Sequence, residues 1–126
     1  MVLLTIFALF SCSNTEPEVA AVLLPTPSEH LQVLDTQLLE IVAVWESGDQ
    51  AASQEQLQRL YLEHFEPMEE SLKAHDFMTT LSLEYDFGIC AKLMKGNDKQ
   101  RVSEHVQGLR TSLQESVAII ASPELE

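Results

Sequence analysis

Side chains able to bind a metal ion are most concentrated in residues 63–70, whose sequence is EHFEPMEE. Glu66 and Glu69 are three residues apart, and on a helix this spacing places two carboxylates on neighbouring positions of one face. Such a pair can share a hard cation such as iron or calcium. Glu63 and His64 lie beside the pair, so the candidate metal ligands are Glu63, His64, Glu66 and Glu69.

The alternative interpretation of the same segment is a solvated acidic face. On an ideal helix, Glu63 and Glu66 lie opposite the apolar stripe and point to water, while Glu69 lies near the edge of that stripe. His64 points closer to the core than any of the carboxylates. Because a Glu-x-x-Glu spacing also arises by chance in acidic helices, spacing alone favours solvated glutamates over ligands.

Other polar residues offer weaker sites, namely His75 with Asp76, Glu84, and Glu104 with His105. His75 and Asp76 are typical of a helix junction with a cap, and His105 is typical of a packing residue beside an apolar stripe. A haem held between Met68 and His105 is conceivable in a helical bundle, but no local pattern singles out those two residues. A di-iron carboxylate centre needs Glu-x-x-His on two helices, and the sequence contains none.

Composition argues against several functional classes. The chain has 126 residues and a formal net charge of −13, so phosphate backbones and anionic lipids would repel it. We therefore expect no nucleic-acid partner. The sequence has no nucleophile elbow, phosphate-binding loop or Ser/His/Asp signature, and we expect no enzymatic activity and no catalytic residues.

The N-terminal residues predict export and lipid attachment. Residues 2–10 are apolar except for Thr5, and they lead into Phe10-Ser11-Cys12, which is typical of a lipobox. Cys12 would carry the lipid, residues 1–12 would be the signal peptide, and residue 13, a serine, favours the outer membrane, facing the periplasm. The alternatives are an ordinary secretory signal or an uncleaved anchor, because no Lys or Arg precedes the apolar run.

Residues 13–28 contain three prolines and predict a tether, whereas residues 29–122 predict one four-helix domain. Apolar residues recur at spacings of three and four along four segments. The four stripes run from Leu31 to Trp45, Leu57 to Leu72, Phe77 to Leu93, and Val102 to Ile120. Short loops between such helices predict an all-α, antiparallel, up-down four-helix bundle.

Local signals refine this arrangement. Ser28 is the predicted N-cap of the first helix, and Asp76 is the predicted N-cap of the third. Pro67 lies inside the second helix, where it removes one backbone hydrogen bond and predicts a kink. The third helix carries a second apolar stripe with Leu83 and Phe87, which predicts that it is the most buried of the four.

Residues 45–72 also carry a family resemblance. The pattern Trp-Glu-x-Gly-Asp-x-Ala-Ala at residues 45–52, followed by Tyr-Leu-x-x-Phe-Glu-Pro-Met-Glu-x-x-Leu at residues 61–72, resembles the periplasmic helical domain of bacterial high-affinity iron permeases. The similarity would extend over about residues 31–122. This sequence lacks the permease's membrane helices with their Arg-Glu-x-x-Glu motifs, so the resemblance implies a detached accessory domain. Glu66 and Glu69 are the residues that match by motif.

These observations lead to one functional hypothesis and one rival. The first is a lipid-anchored helical domain that binds a metal cation, with iron as the leading candidate, in uptake or buffering. Its partners would be the membrane, through Cys12, and an iron permease or another envelope protein. The rival is a structural or protein-interaction lipoprotein that binds no metal, in which Phe65 and Pro67 only shape the bundle.

Overall fold

The computed structural model describes residues 24–121, which are almost entirely helical, and the predicted all-α class is confirmed. The elements are α1 (Pro27–Glu46), α2 (Gln50–Leu60), a π-helical segment (Tyr61–Phe65), α3 (Glu66–His75), α4 (Phe77–Leu93) and α5 (Lys99–Ile120). Together α2, the π segment and α3 correspond to the second predicted helix. The predicted signal peptide, Cys12 and most of the predicted tether lie outside the described residues and stay predictions.

The first helix begins earlier than expected, because its N-cap is Thr26 and the prediction of Ser28 is wrong. The Glu29 N–H donates to Thr26 Oγ1 (3.1 Å), and the Thr26 N–H donates to Glu29 Oε1 (2.8 Å). This reciprocal capping box needs a Ser or Thr followed three residues later by Glu or Gln, and Ser28 is followed by Leu31 instead. Pro27 fits the first helical position, where its missing N–H costs no hydrogen bond.

Aspartates start three of the other helices, as predicted for Asp76. Asp49, Asp76 and Asp98 each accept a hydrogen bond from the backbone N–H three residues further along, at 3.0 to 3.1 Å. An acceptor at this position satisfies one of the N–H groups that the first helical turn leaves free. The loop before Asp49 also contains Gly48 in the left-handed region (φ 103°), which ends α1.

Apolar stripes from all the helices meet in one core. α1 packs against α2 and α5, while α4 packs against α3 and α5. In α1 and α5 the buried residues follow the predicted spacing of three and four. The large side chains with almost no exposure are Leu34, Leu38, Leu60, Phe65, Met68, Leu83, Met94, Val102, Leu109, Leu113 and Val117.

The second helix changes its hydrogen-bonding pattern in the π segment. The Glu66 N–H donates to the Tyr61 carbonyl oxygen five residues earlier, and the next residue, Pro67, has no N–H to donate. The buried residues Leu60 and Phe65 are five apart, one more than α-helical spacing allows for one face. The π turn absorbs this extra residue. The backbone irregularity therefore precedes Pro67, and the kink at Pro67 stays a prediction.

The prediction that α4 is the most buried helix is wrong. Its stripe with Leu83 and Phe87 is buried, whereas Phe77 is 53% exposed and Tyr85 is 69% exposed. Residues four apart share a helix face, so the two stripes lie on different faces, and only one of them can turn towards α3 and α5. We call the large apolar side chains left in solvent the exposed stripe; they are Phe77, Met78, Leu81 and Tyr85.

Two polar links fix the helices laterally. Arg110 of α5 donates from Nε to Asp35 Oδ1 (2.8 Å) and from Nη2 to Asp35 Oδ2 (3.0 Å), which ties α5 to α1 in a bidentate pair. At the other end of α1, the indole Nε1–H of Trp45 donates to the carbonyl oxygen of Met94 (2.7 Å). This bond satisfies a carbonyl group at the C-terminal end of α4 and a buried indole N–H at once.

Candidate functional site

The four predicted metal ligands do not converge on one point. Glu63 and Glu66 are exposed, whereas His64 and Glu69 are half-buried and turn to different neighbours. His64 faces α1, and Glu69 faces α4. Within residues 24–121, no group of three or more His, Cys, Asp and Glu side chains is arranged to hold a metal ion. Any cation bound here would therefore take part of its coordination from water.

Glu69 faces Glu84, a residue of α4 that ranks only among the weaker candidates in the sequence. Two facing carboxyl groups disfavour each other's charged form. Burial, followed by the hydrogen bond to Glu84 and its negative charge, raises the pKa of Glu69 to about 7. Lys73 Nζ lies 3.6 Å from Glu84 Oε2 and supplies the nearest positive charge to the pair.

Tyr61 adds a third oxygen-bearing side chain to this pair. Its hydroxyl donates to Glu69 Oε2 at 3.4 Å, a long and therefore weak hydrogen bond. Burial and the neighbouring carboxylates raise the pKa of Tyr61 to about 12, so the phenol keeps its proton at neutral pH. The polar chain thus runs from Tyr61 through Glu69 and Glu84 to Lys73, and it joins the π segment to α3 and α4.

An open groove of about 600 Å³ gives solvent access to this chain. Tyr61 and Glu84 line the groove together with apolar side chains of α2 and α4, including Leu57 and Phe87. The Tyr61 ring packs edge-on against Phe87, with ring centroids 5.2 Å apart. These aromatic contacts hold the phenol in place beside Glu69, and burial is the largest cause of the raised pKa of Glu69.

His64 pairs with His30 from the first turn of α1. The two Nδ1 atoms lie 3.1 Å apart, and the rings meet edge-to-face with centroids 5.2 Å apart. His30 is only 7% exposed, and its burial, followed by the charge of His64, lowers its pKa. One ring donates and the other accepts in this hydrogen bond, and the tautomers of the two imidazoles decide which does which.

Sequence analysis missed His30 and gave too little weight to Glu84. His30 lies four residues before Leu34 and so continues the buried stripe of α1, which was an available signal for an inward-facing histidine. Its partner is 34 residues away, and no spacing rule connects them. Glu84 had no comparable signal, because it becomes half-buried only through the groove between α2 and α4.

The other polar candidates have structural roles in the described part of the chain. Asp76 caps α4, and His75 beside it is exposed. His105 Nε2 lies 2.9 Å from the carbonyl oxygen of Asp86 and so links α5 to α4. Cys90 is buried, as predicted, and burial raises the pKa of its thiol to about 11, so it stays a neutral thiol.

No protein-family model matches the chain, and searches of curated proteins and of solved structures returned no match. The resemblance to the iron-permease domain therefore stays a hypothesis based on the motif at residues 61–72. Among the described helices, none combines the length and apolar character that crossing a bilayer requires.

Proposed function

We propose that the chain is a lipid-anchored envelope protein whose helical domain binds a hard metal cation, with iron as the leading candidate, between Glu69 and Glu84. The observation that carries this proposal is the pairing of two carboxyl groups, Glu69 and Glu84, from neighbouring helices. A divalent cation compensates two carboxylates better than a single proton does. Of the motif-matched pair, Glu69 is then the ligand, and the exposed Glu66 contributes negative charge from nearby.

The chemistry of the donor set fits a hard cation. Glu69 and Glu84 supply carboxylate oxygens, and Tyr61 supplies a phenolic oxygen at the rim of the groove. Oxygen ligands suit iron, calcium and magnesium better than they suit soft metals. Because Glu69 must give up its proton when a cation binds, affinity should rise with pH through the region near 7. The ion pair between Lys73 and Glu84 must also break when the cation binds.

The remaining parts of the proposal concern arrangement and location. An antiparallel up-down bundle is supported by the short loops between successive helices and by the Asp35–Arg110 pair, which joins the first and last of them. The kink at Pro67 is supported by the π turn just before it. Lipid at Cys12 would hold the domain at the outer membrane, in reach of a permease or another envelope protein.

Thermal unfolding with and without iron tests the cation site. At a hundredfold excess over Kd, a bound ion stabilises the folded state by about 2.7 kcal/mol. For a domain of this size that raises Tm by several degrees. We expect this shift in the unmodified protein and no shift in the double variant Glu69→Gln/Glu84→Gln. Magnesium should act more weakly, because it gives up its waters reluctantly.

Two controls make the result specific. Glu63→Gln/Glu70→Gln removes the same number of carboxyl groups from exposed positions of the same helical region and should keep the iron response. Glu66→Gln should keep most of it, since that carboxylate is exposed. Equal iron-induced shifts in all four proteins would mean nonspecific attraction to an acidic surface, and the cation site would be abandoned.

A second candidate function, protein interaction without metal, is favoured by the exposed stripe of α4. Four large apolar side chains grouped on one helix mark a contact surface more often than scattered ones do. A photo-reactive residue replacing Leu81 in the membrane-anchored chain should then form a discrete cross-link to an envelope protein. Phe77→Ser/Tyr85→Ser should abolish it, whereas Leu39→Ser, an exposed leucine of α1, should not. Absence of any discrete cross-link would remove this candidate.

A further inference from the structure

The His30–His64 pair has properties that the cation proposal does not use. It joins the first turn of α1 to the π segment. The two imidazoles come from different elements and face each other through their Nδ1 atoms. His30 is nearly buried and His64 is half-buried, which leaves one side of the pair open to solvent. Neutral imidazole nitrogen is a common protein ligand for transition-metal ions.

We propose that His30 and His64 form a separate metal site, with both Nδ1 atoms as ligands, for a transition-metal ion that prefers nitrogen, such as Zn²⁺, Cu²⁺ or Ni²⁺. The site shares no residue with the Glu69–Glu84 pair. Its remaining coordination positions would be filled by water, since the described residues bring no third His, Cys, Asp or Glu to this point.

The distance between the two nitrogen atoms fits this assignment. Zinc–nitrogen bonds are about 2.0–2.1 Å long, and two such nitrogens at a tetrahedral angle lie roughly 3.4 Å apart. The observed separation of the Nδ1 atoms is 3.1 Å. The two nitrogen atoms therefore need to separate by only a few tenths of an ångström, and each ring must also turn so that its lone pair points at the ion and not at the other nitrogen. The ring that holds hydrogen on Nδ1 must carry it on Nε2 instead, a change between neutral tautomers.

The positions of the two rings are set before any ion binds. His30 lies one residue after the Glu29 capping-box residue and one turn before the buried Leu34, so α1 fixes its direction. His64 precedes the fully buried Phe65, whose packing fixes the π segment. Because little ordering remains to be done, binding costs less conformational entropy than it would for two mobile surface histidines.

Ligand chemistry separates the two sites by metal. Imidazole suits zinc, copper and nickel, whereas the carboxylates of Glu69 and Glu84 suit harder ions. The surrounding charge also favours a cation, since the chain carries a net charge of −13 and Glu29 lies near His30. An ion at the histidine pair would bridge α1 to the π segment. It would stabilise the chain at residues 61–65, where the backbone departs from α-helical geometry.

Copper binding to the full-length chain in detergent micelles tests the site directly. With one equivalent of Cu²⁺ at pH 7.5, the electron paramagnetic resonance spectrum should show hyperfine structure from two equivalent imidazole nitrogens. Zn²⁺ should raise Tm by several degrees once it exceeds Kd about a hundredfold. His64→Gln should abolish both effects, and His30→Gln should do the same. Because His30 is buried, the folding of that variant is checked by circular dichroism.

Matched variants decide between this site and others. His75→Gln removes an exposed histidine and should leave both copper and zinc effects unchanged. Glu69→Gln/Glu84→Gln should also keep them, so failure of the carboxylate site would not affect this result. A copper spectrum with fewer than two nitrogen ligands, or an equal zinc shift in folded His64→Gln, would overturn the proposal.

Discussion

Two carboxylates that join helices of this domain have opposite surroundings. Asp35 on α1 receives two hydrogen bonds from Arg110 and a third from Gln114 (3.1 Å), both on α5. Its hydrogen bonds to Arg110 hold the pKa of Asp35 below its usual value. Glu69 on α3 faces a second carboxyl group instead, and burial beside Glu84 raises its pKa to about 7.

The two carboxylates therefore differ in role. Asp35 forms a fixed structural link between helices, whereas Glu69 carries a proton that can be exchanged. The charge of Asp35 is already compensated by a guanidinium that never loses its proton at ordinary pH. The pair therefore holds no proton that a metal cation could replace. Glu69 faces a carboxyl group instead, and its raised pKa means that it loses its proton only near pH 7. A proton can be exchanged for a metal cation, and this is why the proposed function lies at the second pair.

The largest expected effect comes from removing the aromatic support of Glu69. Phe65 is fully buried, and its ring packs against Tyr61 and Phe87 at centroid distances of 5.2 and 5.1 Å. Phe65→Ala should destabilise the domain by about 3–5 kcal/mol in denaturant unfolding. Water entering the space should also lower the pKa of Glu69 towards its ordinary value, while that of Asp35 should not change.

Carboxyl titration by nuclear magnetic resonance measures both groups in one sample of Phe65→Ala. Leu109→Ala is the control, because it removes a core side chain of α5 and should cost about 2–5 kcal/mol without changing Glu69. An unchanged pKa of Glu69 in folded Phe65→Ala would show that the aromatic packing does not maintain the carboxyl pair.

A smaller effect should follow from breaking the other link. Arg110→Met keeps the packing of the aliphatic part of the side chain but leaves Asp35 without its guanidinium partner. The pair is 18% and 30% exposed, between the surface and buried cases, so we expect a loss of about 1–2 kcal/mol. Arg59→Met is the control, because its pair with Glu55 is 52% and 72% exposed and should contribute little.

The pH dependence of Arg110→Met gives an independent check. In the unmodified protein the pKa of Asp35 is lowered on folding, so its stabilisation is complete above the unfolded value near 3.8 and is lost as pH falls below it. Arg110→Met should lose less stability than the unmodified protein over that acidic range. If both proteins respond identically to acid, the pair does not govern the titration of Asp35.

Most of the fold was predictable because it depends on periodic burial and on local caps. The stripes of α1 and α5 and the cap at Asp76 follow from rules that act within one helical turn or over one face. The start of α1 was missed because Ser28 resembles an N-cap in isolation. Thr26 prevails because Glu29 completes its capping box.

The exposed stripe of α4 shows where periodicity stops being informative. Two stripes on one helix are equally apolar in sequence, and the sequence does not state which face meets the neighbouring helices. Leu83 and Phe87 are buried because α3 and α5 cover that face, and Phe77 and Tyr85 remain in solvent. Tertiary packing decides which face of α4 is buried, so a count of apolar residues overstates the burial of this helix.

The candidate site was only partly predictable, for the same reason. The motif led to Glu69 and His64, and the structure gives each a partner from another helix. Angles counted on an ideal α-helix agree with the exposure of Glu63 and Glu66 and the partial burial of His64 and Glu69, but they cannot identify partners on other helices. They also do not reveal the π turn at residues 61–65. The signal for that turn was the spacing of five between Leu60 and Phe65.

The smallest expected effect concerns the proton of Glu69 itself. Folding raises the pKa of Glu69 from 4.5 to about 7, so the folded state holds more protons than the unfolded state between those values. The contribution of Glu69 to stability is therefore fully present below pH 4.5 and is lost as pH rises through 7. Glu69→Gln keeps a side chain that can donate to Glu84 and accept from Tyr61, but it does not titrate.

Without metal, Glu69→Gln should be more stable than the unmodified protein at pH 8, by roughly 0.5–1 kcal/mol for a partly exposed group. The difference should disappear well below pH 4.5, where the native carboxyl is neutral in the unfolded state as well as in the folded state. Urea unfolding at several pH values measures this, with the exposed Glu63→Gln as a control that should not follow the same curve. A difference between Glu69→Gln and the unmodified protein that stays constant from pH 4 to 8 would mean that folding does not raise the pKa of Glu69. The comparison with Asp35 would then lose its basis, and so would the proposed cation site.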